Sequence, residues 1–186
     1  LGLIPYLKER NQAVACSVPF DFIIGSTHQI DGKDPYYPEF WAGRNSDDVV
    51  NEYFLLTYDN IRTYSDYDVY GHLDYITRYS PDKSYRFEYM KHIDIIDCIL
   101  KEIIHAGHGI ELNTSPLCKG LDRTNPCLEI IKRYKELGGE IITIGSDAHS
   151  FQNVGGYFDT AREILLSCGF KYYSVFTNRK TEMRSL

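Results

Sequence analysis

Asp147 and His149 stand two residues apart, directly after the apolar run Ile141–Gly145. A carboxylate and an imidazole at the end of such a run are costly unless a ligand takes up both. The pattern recurs. His28 follows the run 20–26, while His72 and Asp74 follow the run that starts at Tyr67. Three of the six histidines, with an Asp-x-His pair, therefore close apolar runs. Imidazole and carboxylate together suit Zn, Mn or Fe, and a catalytic site draws such donors from several strands. His92, His105 and His108 lie on or just after a helical pattern at no ligand spacing and are expected to be surface or core imidazoles.

The elements that must position these residues follow from periodicity. Residues 20–26 predict a strand, and 46–64 a helix with Ser46 as its N-cap and acids in its first turn. Residues 67–76 predict a second strand and its exit. The spacing of apolar residues from 90 to 104 predicts a helix over 86–107. A strand over 109–114 follows, then a helix opened by Asn125-Pro126 and closed by Gly138-Gly139. The segment 140–145, rich in isoleucine, predicts a buried strand, 157–168 a helix and 172–178 a last strand.

Strand–helix alternation at this spacing predicts parallel strands with right-handed crossovers, in an α/β barrel or an open doubly wound sheet. Function in both sits at the C-terminal ends of the strands. His28, His72, Asp74, Asp147 and His149 all fall there, as do Asn113 and Ser115 after the third strand. Asn113 and Ser115 are candidates for substrate contact, and Glu111, in mid-strand, for support of a ligand.

Composition bounds the function. The 186 residues predict one domain over 1–186, with 43% apolar and 25% charged residues, ordinary for a globular chain. A net charge of −6 without a basic stripe argues against a nucleic-acid partner. No apolar stretch approaches the roughly 20 residues a bilayer span requires, and no secretory leader opens the chain, so no membrane partner is expected. The five cysteines (Cys16, Cys98, Cys118, Cys127, Cys168) are odd in number and form no CxxC pair. They are expected to act as small hydrophobes in a reducing cytoplasm.

The segments FDFIIGSTHQIDGKDPYY, VYGHLDYITRY, GIELNTS and GGEIITIGSDAH resemble, in order and spacing, the histidinol-phosphatases of the polymerase-and-histidinol-phosphatase (PHP) superfamily. The likeness runs to GFKYYSVFTNRK. It implies a distorted (β/α)7 barrel with two or three divalent metal ions (Zn, Mn or Fe) at its C-terminal face. It further implies that His28 and His72 share one metal, that Asp147 serves a second and His149 a third. Arg78, six residues after His72, matches a position that contacts the substrate phosphate. The implied reaction is hydrolysis of a small phosphomonoester, L-histidinol phosphate, in histidine biosynthesis. An acid such as Asp74, or a metal-bound water, would protonate the leaving group.

The family's opening His-x-His pair, a further His and a bridging Glu have no counterpart here, and LGLIPYL resembles the segment just after that Glu. The resemblance therefore implies the C-terminal two-thirds of the barrel, with weak metal binding, doubtful activity of the chain alone and a tendency to self-associate. Two other readings stay open: a metal-dependent hydrolase of the amidohydrolase kind, and a catalytically inert fragment.

Overall fold

The computed structural model describes residues 1–186. Its frame is a four-stranded sheet in sequential order, β1 (Ile24–Gly25), β2 (Val69–Tyr70), β3 (Gly109–Asn113) and β4 (Ile142–Gly145), with every pairing parallel. Sequential parallel order is what a barrel wall shows, each strand reached from the last by a crossover. Residues 1–3 lie along the free side of β1, where Leu3 N donates to Ser26 O at 2.7 Å.

The helices lie between the strands. A short α1 (Lys8–Ala15) precedes β1. The crossovers are α2 (Ser46–Thr63), α3 (Ile93–His105) and, after a single turn α4 (Ser115–Cys118), α5 (Leu128–Glu136). α6 (Phe158–Ser167) follows β4. Each main crossover buries one stripe at helical spacing: Val49, Val50, Tyr53, Phe54 and Ile61 on α2; Ile96, Ile99, Leu100 and Ile103 on α3; Ile130, Ile131 and Tyr134 on α5. Fully burying side chains of this size stabilises by about 1.5–3 kcal/mol each, so these stripes hold the crossovers to the sheet.

Several boundaries differ from expectation for local reasons. The cap of α2 is Asn45, whose Oδ1 accepts from the amides of Asp47 (2.9 Å) and Asp48 (3.3 Å); Ser46 is the first helical residue. α3 begins at Ile93 and not at 86, because His92 is buried against the rings of Phe54 and Phe87 and ends a separate 3-10 turn, Tyr89–Lys91. Asn125-Pro126 is a cis bond ahead of α5, whose N-cap is Cys127, so Pro126 lies outside the helix. Only Cys127 is a fully buried thiol; Cys16 and Cys98 are exposed.

The largest correction concerns the end of the chain. β5 (Tyr172–Thr177) is not a further parallel strand. It pairs antiparallel with β6 (Lys180–Ser185) through a two-residue turn at Asn178 and Arg179, both at positive φ (51° and 62°). Two left-handed residues give the turn whose twist matches a hairpin. The hairpin crosses the N-terminal end of the sheet: Ser174 Oγ accepts from Ile142 N at the start of β4, and the turn reaches Asp21, Asp66 and Asp68, which precede β1 and β2.

Candidate active site

The opposite end of the sheet carries the chemistry. β1 and β2 each pair over only two residues, and the chain leaves β2 sharply: His72 takes φ +30°. That turn swings His72 beside His28, with ring centroids 5.0 Å apart. The ring of Tyr75 packs against both, at 5.0 Å from His28 and 4.8 Å from His72. His72 is 7% exposed and its Nδ1 is buried without a hydrogen-bond partner. Burial, followed by His28 and Arg78, pushes its pKa down to about 3, so the imidazole is neutral and keeps a free lone pair. His28 is half-buried and is also lowered, chiefly by burial.

The exit of β4 faces this pair. Asp147 takes φ +44° and is half-buried, and together with His28 it lines a cleft of about 340 Å³. His149 has 82% of its side chain exposed. Its Nδ1 lies 2.9 Å from the backbone oxygen of Asp147, which can only accept; Nδ1 therefore carries the proton and Nε2 is free.

Arg78 enters the same cleft from the 3-10 turn Tyr75–Arg78. Its guanidinium lies 4.2 Å from the centroid of Tyr75 and 4.9 Å from that of Tyr79. Nε and Nη1 are buried without a partner, and no carboxylate forms an ion pair with the group. Two aromatic faces hold the cation, while its donors remain available to an anion. Lys119 adds a second cation, its pKa lowered by burial and then by Arg78.

Three expected residues stand elsewhere. Asp74 is wholly buried: its oxygens accept from Asn125 Nδ2 and, at 2.9 Å, from Cys127 N. It ties the 125–127 segment to the exit of β2 and does not line the cleft. Asn113 and Ser115 are 1% and 2% exposed. Asn113 Oδ1 accepts from Ser115 N at 2.9 Å and Asn113 Nδ2 donates to Glu111, a turn that engages both ends of the Asn113 amide. Conversely, Asp34, Tyr36, Tyr75, Tyr79 and Lys119 line the cleft unforeseen. For Asp34 and the three tyrosines the only signal was proximity to the singled-out histidines and arginine in DPYY and GHLDYITRY; Lys119, in SPLCKG, carried none.

A neutral, buried imidazole with an unsatisfied nitrogen, a second imidazole beside it and a carboxylate across the cleft fit a divalent metal. The fit is partial, because no three His, Cys, Asp or Glu side chains converge on one point.

A parallel wall of sequential strands thus carries imidazole, carboxylate and arginine at its C-terminal end. The chain belongs to the PHP-domain family, whose model matches residues 2–115. It is 32% identical over 174 residues to a probable histidinol-phosphatase of Clostridium acetobutylicum, covering 92% of this chain and 67% of that protein. It is 30% identical over 180 residues to the histidinol-phosphatase of Lactococcus lactis, covering 95% and 65%. The crystal structure of the histidinol phosphate phosphatase of Lactococcus lactis, complexed with zinc, L-histidinol and phosphate, superimposes with a TM-score of 0.85 at 25% identity. That match covers 97% of this chain and 69% of that one. A Listeria monocytogenes structure (TM-score 0.70, 18% identity, 83% and 62% covered) shares the fold. The chain thus spans about two thirds of the length of the relatives it matches. The fold is of the PHP type. No helix is long and apolar enough to cross a membrane.

Proposed function

We propose that the chain carries the phosphate-binding and part of the metal-binding machinery of a histidinol-phosphatase, hydrolysing L-histidinol phosphate to L-histidinol and phosphate in histidine biosynthesis in the cytoplasm. The observation that carries this reading is Arg78: a guanidinium with two buried, unpartnered donors, held over tyrosine faces beside a pair of neutral imidazoles. A buried guanidinium at a cleft with free donors and no counter-ion suits an incoming anion.

His28 and His72 would hold one metal ion, while Asp147 and His149 would contribute to a second and a third; bound metal would supply a nucleophilic hydroxide near neutral pH and Lewis acidity. The chain's own groups do the rest. Arg78 binds two phosphoryl oxygens and neutralises charge as it builds on them, with Lys119 adding positive potential. Tyr75 excludes water from one side of the imidazoles and fixes the plane of the guanidinium. The leaving alkoxide takes its proton from solvent or a bound water, since Asp74 is enclosed.

The lack of three convergent donors favours a second statement about these 186 residues by themselves: they hold metal weakly. Metal content of the purified chain tests the second statement, and phosphate release the first. Phosphate release from L-histidinol phosphate is measured with zinc, manganese or iron(II), alongside an amide panel. Chelator-sensitive release that falls about 100-fold in kcat/KM for Arg78→Ala, with metal content unchanged, is the expected result. Hydrolysis of amides but not of phosphomonoesters would overturn the reading.

A further inference from the structure

Glu111, like Asp74, is a carboxylate buried beside the strand exits, 5% exposed, and neither the metal nor the phosphate contacts proposed above use it. It lies in the middle of β3, in register with Thr143 of β4 and one residue past the last β2–β3 pair, Tyr70↔Ile110. Its Oε2 accepts from the backbone amide of His72 at 3.2 Å and from Asn113 Nδ2 at 3.1 Å. On either side stands a glycine. A Cβ at Gly145 would collide with Oε1, while one at Gly71 would collide with Ile24 Cγ2 (2.8 Å) and come within 3.3 Å of Oε2. The carboxylate thus occupies the space a side chain at 145 would take and borders that at 71, two residues before Asp147 and one before His72.

The backbone shows what this wedge holds. Gly71 N still donates to Gly25 O in the sheet, but the His72 amide is the first that the ladder does not use. It turns to Glu111 as His72 enters the left-handed region, a conformation that costs a non-glycine residue about 1–3 kcal/mol. A buried carboxylate with so few donors stabilises the fold no better than an apolar side chain of its size would. An acceptor kept at such a place fixes a geometry.

We propose that Glu111 is a positioning residue: wedged between Gly71 and Gly145, it sets the left-handed turn that presents His72 and spaces it from the strand end carrying Asp147. The inference rests on the metal reading for its consequence but not for its geometry. Its test uses the full chain, stripped of metal, with zinc alone as probe. Glu111→Met keeps the volume and removes the acceptor; Glu111→Gln keeps a carbonyl that accepts from both donors. The expected result is zinc affinity reduced about 10- to 100-fold in Glu111→Met and within about threefold of wild type in Glu111→Gln.

Wild-type affinity in a folded Glu111→Met, even at a lower melting temperature, would make the residue merely structural and overturn the proposal. Equal loss in Glu111→Gln would make the carboxylate a ligand and overturn it too. Amide exchange at His72 supplies a readout independent of metal. It should be roughly three- to tenfold faster in Glu111→Met than in Glu111→Gln, the size of a lost neutral hydrogen bond. If wild type takes up no zinc, the metal reading fails, and equal His72 exchange in the two variants then overturns the positioning role by itself. Should Glu111→Met not fold, Glu111→Ala replaces it in both measurements.

Discussion

Asp147 separates side-chain chemistry from backbone demand. Its φ of +44° lies in the region that asparagine enters as readily as aspartate, so Asp147→Asn keeps the turn and removes the charge alone. His149, with its side chain mostly in solvent, contributes little to the core. Each of Asp147→Asn and His149→Ala should therefore lower zinc affinity by about tenfold or more while unfolding free energy stays within about 0.5 kcal/mol of wild type. Calorimetric zinc titration and denaturant unfolding check the pair, and unchanged zinc binding in both would remove these residues from the site. His28, His72, Asp147 and His149 stood out in the sequence because each follows an apolar run that has to be a strand, whereas Arg78 stood out only through the family resemblance. Tyr75 did not stand out. An aromatic that packs two imidazoles and a guanidinium looks, in one dimension, like any core tyrosine. Asn113 and Asp74 misled for the opposite reason: a polar side chain at a strand exit closes a turn as readily as it meets a ligand, and only its partners tell which.

At the scale of elements, the crossovers are held by apolar stripes, and α3 and α5 are also clasped by charge. Arg133 donates to both oxygens of Asp97, Nε to Oδ1 at 2.7 Å and Nη2 to Oδ2 at 2.6 Å. The hydrogen bonds from Arg133 hold the Asp97 carboxyl below the usual carboxylate range. A depressed carboxylate pKa stabilises the fold at pH values above the unfolded value, about 3.9, and that gain disappears as pH falls through the lower folded value. Arg133→Ala should destabilise the fold at pH 7 and low salt, and the deficit should shrink steadily below about pH 4. Urea unfolding across that range measures it; a deficit independent of pH would assign the loss to packing. Helices such as these were legible from their stripes. β1 and β2 were legible only as longer runs, because two paired residues leave no period to count. β6 escaped altogether: Lys-Thr-Glu-Met-Arg-Ser lies fully exposed, so no buried face wrote an alternation into it.

For the whole molecule, the two ends of the sheet have separate duties, and the hairpin of β5 and β6 closes the end away from the cleft. Its turn is tied down by Asn178 N to Asp21 Oδ1 (2.8 Å), by Arg179 to Asp66 (3.0 Å) and by Arg179 Nε to Asp68 (2.7 Å), while Phe176 stacks on Phe22 at 4.9 Å. Asp68 has only 7% of its side chain exposed and also accepts from Ile23 N at the entry to β1. The Arg179–Asp68 pair thus joins the last element of the chain to the first two strands. Arg179→Ala would leave that carboxylate buried with one remaining donor, at a cost of about 3 kcal/mol. Asp68→Asn in the same chain removes the stranded charge, so the double variant should recover part of the loss, with a coupling of about 1–3 kcal/mol. Denaturant unfolding of the four chains gives the cycle. Zinc affinity should not move in Arg179→Ala at temperatures where it is folded, because the pair lies across the sheet from His28 and His72. A destabilisation below about 0.5 kcal/mol, the ordinary scatter of surface changes, would mean that the hairpin rests on its aromatic contact and not on its charges.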